Sequence, residues 1–119
     1  MRKRQDILSD LISMHGDLSK LSQELSQYPW DIEKPILQIK SGDIQTILRL
    51  VADGVISTDS LIYWANLIEC REDLDVEDDY LEKIIFELAN PEINGEVTLY
   101  KVNAIIRELS DIRKIKENA

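Results

Sequence analysis

Leu61-Ile62-Tyr63-Trp64-Ala65-Asn66-Leu67-Ile68-Glu69-Cys70 decides the fold, because only Asn66 and Glu69 in this stretch are polar. A helix that is apolar nearly all round is a buried one, so the segment reads as the central helix of a bundle with Trp64 in its core. Just upstream, Ser57 or Thr58 supplies a cap, and Asp59 in the first turn complements the helix dipole. Further back, Ser41 or Asp43 opens a helix carrying Ile44, Ile47, Leu48 and Val51, and Gly54 supplies a left-handed stop. Downstream, Tyr80 to Ala89 places Leu81, Ile84, Ile85 and Leu88 on one stripe, and Asn90-Pro91 ends it. After the Asn94-Gly95 turn, Thr98 caps a last helix bearing Leu99, Val102, Ile105, Ile106, Leu109 and Ile112. Arg113, Lys114 and Lys116 stand in its final turns, where cations suit the dipole.

The N-terminal third is less regular. From Gln5 to Gln27, Ile7, Leu8, Leu11, Leu18, Leu21 and Leu25 recur at helical steps, with Ile12 and His15 beside the stripe. Gly16 inside this run predicts a kink or two shorter helices. Tyr28-Pro29-Trp30 closes it. Between Asp31 and Lys40, the apolar Ile36, Leu37 and Ile39 fit a short strand, a helical turn or an extended connection. Residues 69–79 read as a loop or turn anchored by Leu74 and Val76. The expectation is an all-α protein: a compact antiparallel bundle of about five helices, one domain over residues 1–119.

With 119 residues, the chain fits one domain. At 44% apolar and 31% charged residues it is globular, and 4 Gly with 3 Pro leave too few turns for a many-stranded barrel. The net charge of −9 opposes direct contact with a nucleic-acid backbone, which is held by cations. Cys70 is the only cysteine and His15 the only histidine, so no intramolecular disulfide and no Cys/His zinc cluster is available. Neither glycine-rich phosphate loop is present. His15, between Leu11 and Leu18 on an apolar face, is expected to be structural or interfacial. Arg2-Lys3-Arg4 is followed by Asp6 and Asp10 rather than an apolar run, and no window approaches the roughly 18 apolar residues of a membrane span. These features predict a soluble cytoplasmic protein that is not an enzyme, with no cofactor, no metal and no membrane association.

The strongest feature outside the core is acidic. Glu69, Glu72, Asp73, Asp75, Glu77, Asp78 and Asp79 face Arg71 alone, giving a local charge of −6 and leaving −3 for the rest of the chain. Two readings fit: a solvated run in which Asp78 and Asp79 cap the next helix, or a binding surface for a basic partner. Asp73-x-Asp75-x-Glu77 echoes the start of a calcium loop, but Asp78 stands where glycine is needed and Ile84 where glutamate is needed. Tyr80 adjoins the run and falls off the stripe of Leu81 and Ile84, so it joins the seven carboxylates as a candidate contact. The short basic ends read as solubilising.

Gly54-Val55-Ile56-Ser57, Leu61 through Ala65, Glu69-x-Arg71-Glu72-Asp73, Ile85-Phe86-Glu87-Leu88-Ala89-Asn90-Pro91-Glu92-Ile93-Asn94-Gly95 and Thr98 together form a pattern over residues 41–109. This pattern resembles that of the small helical immunity proteins encoded beside bacterial toxins, those of contact-dependent growth inhibition systems and, more loosely, the colicin D type. Residues 1–40, an N-terminal helix and connection, lie outside it. The resemblance implies an antidote, expected as a monomer in a 1:1 complex, that binds the cognate basic C-terminal domain of a cytoplasm-acting toxin, often a tRNA-cleaving nuclease. The alternative is an acidic regulator or nucleic-acid mimic that occupies a basic partner protein.

Overall fold

A computed structural model describes residues 2–29, 32–69 and 71–117; Trp30, Asp31 and Cys70, used in the reading above, lie outside the described residues. The elements in chain order are α1 (Arg4–Ser13), α2 (Leu18–Leu25), β1 (Leu37–Ile39), α3 (Ser41–Ala52), α4 (Thr58–Ile68), β2 (Leu74–Val76), α5 (Asp79–Ala89), α6 (Pro91–Asn94) and α7 (Leu99–Glu117). The protein is mostly helical, at 66% helix, with a two-stranded sheet.

The central helix is α4. Ser57 caps it by accepting the Ser60 N–H at 3.1 Å, and Leu61, Trp64, Ala65 and Ile68 are buried at i, i+3, i+4 and i+7. Trp64 is fully buried, and its indole N–H donates to the Leu11 carbonyl of α1 at 2.8 Å. A buried indole needs a partner for its one polar atom, and this bond ties α4 to α1. The other faces of α4 are wetter than the sequence suggests, and Tyr63 is exposed.

Seven helices occur among the described residues instead of about five, for two local reasons. The first helical segment breaks at Met14, which takes the left-handed conformation while the His15 N–H donates to the Asp10 carbonyl at 2.8 Å. Gly16 follows at φ 119°, and Asp17 starts α2 by accepting the Lys20 N–H at 3.0 Å. His15 therefore sits exposed in the turn, not on an apolar helical face. The second addition is α6, a single turn with Pro91 at its start.

The sheet corrects the expectation of a purely α chain and of a loop over residues 69–79. β1 and β2 pair in parallel, with Leu37 opposite Leu74, Gln38 opposite Asp75 and Ile39 opposite Val76. Both triplets alternate apolar, polar, apolar, so Gln38 and Asp75 point outward together while Ile39 is buried in the core. Parallel strands need a long crossover, and α3 with α4 provides it.

The remaining helices close the core. α3 begins where the Asp43 carboxylate accepts the Lys40 N–H at 2.9 Å and stops beside Gly54 at φ 76°. Asp78 caps α5 by accepting the Leu81 N–H at 2.9 Å, and Thr98 opens α7 by accepting the Lys101 N–H at 3.1 Å. α3 lies against α7, α4 against α5, and α1 against α2 and α3. In α7 Val102, Ile105 and Leu109 are buried and the half-buried Ile106 packs against the core, while Leu99 is exposed and the turns beyond Leu109 are not part of the core, so the expected six-residue stripe narrows to four. Among the described residues, no helix is long and apolar enough to cross a membrane, and no group of three potential ligands could hold a metal ion.

Candidate functional site

The acidic run spans the end of α4, a turn, β2 and the start of α5, and these elements sort its carboxylates into inward and outward sets. Asp73 is the inward one. It is only 2% exposed, and Arg71 grips it through Nε at 2.8 Å and Nη2 at 2.9 Å. Arg4, 69 positions away, adds Nε at 3.1 Å and Nη2 at 3.0 Å. Burial pushes the Asp73 carboxyl up, but the hydrogen bonds and charges of Arg71 and then Arg4 outweigh it and hold the group below its ordinary value. Asp73 is thus a structural ion, withdrawn from any contact with a partner.

Arg4 is itself anchored. Its guanidinium lies 5.5 Å from the centre of the Tyr28 ring, and Nη2 donates to the Pro29 carbonyl at 2.9 Å. Arg2 bridges Asp10 at 2.7 Å and Glu24 at 3.0 Å, while the Tyr28 hydroxyl donates to the Arg2 carbonyl. The basic N-terminus thus clamps α1 to α2 and β2; the solubilising role expected for it is not what Arg2 and Arg4 do. Local sequence holds no signal for this, because the pairs that join separate elements, Arg2–Glu24 and Arg4–Asp73, lie 22 and 69 positions apart in the chain. Beside Arg4 and Tyr28 runs a cleft of about 360 Å³ whose wall includes Asn66 and Glu72.

Three more carboxylates serve the fold while keeping part of their surface. Glu69 accepts from the Asn90 side chain at 2.9 Å. Glu77 accepts the Ser41 N–H at 3.2 Å, tying β2 to the start of α3. Asp78 caps α5 and also lies 3.8 Å from the Lys116 ammonium. Glu72, Asp75 and Asp79 are exposed and have no side-chain hydrogen bond or ion pair among the described residues. β2 holds Asp75 outward by strand alternation, and Asp79 sits in the first turn of α5.

Tyr80 is half-buried, and its hydroxyl donates to the Glu108 carboxylate on α7. Burial first, then Glu108 and Glu87, push its phenol up to about 12. It faces a neighbouring helix as well as solvent, which limits it as a contact residue. The eight candidate residues therefore do not form one surface: three carboxylates are exposed with no side-chain partner among the described residues, three are shared with the fold, Asp73 is turned inward and Tyr80 is only partly so.

No family, no curated protein and no solved structure matches this chain.

Proposed function

We propose that this protein is an immunity-type binder that neutralises a cognate cytoplasm-acting toxin domain, a tRNA- or RNA-cleaving nuclease, without catalysis of its own. The scaffold is read as an antiparallel helical bundle, acting in the cytoplasm as a monomer in a 1:1 complex. The observation that carries this reading is the outward set Glu72, Asp75 and Asp79, which have no side-chain partner among the described residues, on a chain of net charge −9. Beyond the favourable place of Asp79 in the first turn of α5, these exposed like charges add little to folding, but they raise the encounter rate with a cationic surface. A nuclease is cationic where it holds its substrate, so an acidic partner can cover that ground by charge alone. The resemblance of residues 41–109 to immunity proteins supplies the class of partner.

The test is a titration of the chain against the basic C-terminal domain encoded in the adjacent reading frame, at low and high salt, with a protection assay in cells. Glu72→Gln, Asp75→Asn and Asp79→Asn together should slow association by about tenfold at low salt and flatten its salt dependence, with the fold retained. An unchanged association rate and full protection would remove these carboxylates from the site. An adjacent frame encoding no such domain, with capture of a basic regulatory protein instead, would favour the mimic reading.

A further inference from the structure

Among the described residues, four of the seven exposed large hydrophobic side chains lie within one fifteen-residue stretch: Phe86 (44% exposed), Ile93 (71%), Leu99 (53%) and Tyr100 (79%). Single exposed apolar residues are ordinary, but a concentration of them marks an interaction site. These four come from the last turns of α5, from α6 and from the first turn of α7. The segments are held together by side-chain hydrogen bonds. Asn90 Nδ2 donates to the Phe86 carbonyl at 2.9 Å, Asn94 Nδ2 to the Asn90 carbonyl at 3.1 Å, and Lys101 Nζ to the Asn94 carbonyl at 3.3 Å. Val97 turns into the core between α6 and α7, so Leu99 and Tyr100 emerge from a fixed base. An anchor ordered before binding loses little entropy on docking.

We propose that this end of the molecule is the hydrophobic anchor for the same cationic toxin domain, an inference that rests on the function proposed above. Charge selects the occupant. Glu92 and Glu96 flank Ile93 in sequence, Glu82 and Glu87 flank Phe86, and all but the half-buried Glu87 are exposed. Against them stand Lys83 and Lys101, the second of which is turned to the Asn94 carbonyl. A second copy of this chain would set carboxylates against carboxylates, and so would an anionic lipid surface; a cationic protein meets them with opposite charge. The anchor also adjoins the acidic run, because Asn90 donates to Glu69 as well as to Phe86. Carboxylates steer the encounter, and the buried aromatic and aliphatic groups slow release.

The experiment pairs Ile93→Ser with Tyr100→Ser in the full chain, since both side chains stand mostly in solvent and neither supports the core. The probe is the basic C-terminal domain encoded in the adjacent reading frame. Binding should weaken by roughly 30-fold or more, mainly through faster dissociation, with unchanged salt dependence because no charge is removed. Tyr100→Phe alone should keep the wild-type affinity, since the proposed anchor is the apolar ring and not the hydroxyl. If the wild-type chain binds and the double variant binds equally well, this surface is wrong and the proposed function stands. If the wild-type chain does not bind, both fall. A wild-type dimer in sedimentation, abolished in the double variant, would overturn the inference in favour of self-association. Flotation of the wild type, but not the variant, with phosphatidylglycerol-containing vesicles would overturn it in favour of a membrane.

Discussion

Asp73→Asn removes a charge held by two guanidinium groups while preserving shape. Breaking a buried ion pair from one side costs about 3–5 kcal/mol when the stranded charge stays dry. Here Arg4 and Arg71 keep side-chain exposures of 14% and 24%, so water can reach them once the carboxylate is gone. Arg4 also retains the Pro29 carbonyl and the Tyr28 ring, and asparagine still offers one oxygen. The expected loss is therefore about 2–3 kcal/mol at neutral pH. For a domain of this size, that lowers the melting temperature by roughly 10 °C. The pH dependence follows from the sign of the shift. The folded carboxyl lies below its ordinary value, so its contribution is present above the unfolded value of about 4 and is lost as pH falls through the depressed one. Thermal unfolding of both chains from neutral to strongly acidic pH should show their melting curves converging in acid. A difference under about 0.5 kcal/mol at pH 7, or one that does not shrink in acid, would mean that the ion cluster does not hold β2 to the N-terminus.

Trp64→Ala should cost about 3–5 kcal/mol in chemical denaturation, because it empties the largest core site; a parent-like midpoint would place Trp64 outside the core. Trp64→Phe should lose less, about 1–2 kcal/mol, since the Leu11 carbonyl loses its indole donor while the smaller ring still fills most of the site. In a spectrophotometric titration, one tyrosine should ionise near pH 12 and that late step should vanish in Tyr80→Phe. The raised phenol value means Tyr80 supports the fold below its unfolded value of about 10 and stops doing so as pH climbs through about 12. Simultaneous ionisation of all tyrosines near pH 10 would sink that assignment.

The helices were legible wherever a local pattern carried them. Ser57, Asp78 and Thr98 act as caps, Gly54 stops α3, and Gly16 marks a true break, each from chemistry within four residues. The strands were not. Three residues cannot show a period, and Leu74-Asp75-Val76 becomes a strand only because Leu37-Gln38-Ile39 lies beside it. The site divides in the same way. Asp78 as a cap could be read from its neighbours, whereas the burial of Asp73 depends on Arg4 at the far end of the chain. His15 fell off its expected face because the helix ends at Ser13, two residues before it. Phe86 and Tyr100 stand off the apolar stripes of α5 and α7, whereas Ile93 lies in a single turn too short to show a stripe at all.

Because β1 and β2 pair across the α3–α4 crossover, the chain divides into two pieces that are each incomplete. A polypeptide beginning at Ser41 keeps five helices but leaves β2 a bare edge, Trp64 without its Leu11 acceptor and Asp73 without Arg4. Residues 1–40 carry Ile7, Leu8, Leu11 and Ile39, apolar groups that have no core of their own to fill. Unpaired strand edges recruit any strand that fits. The two fragments, expressed separately, should recombine through this strand pair as a split protein, and the 41–119 fragment alone should aggregate through that edge.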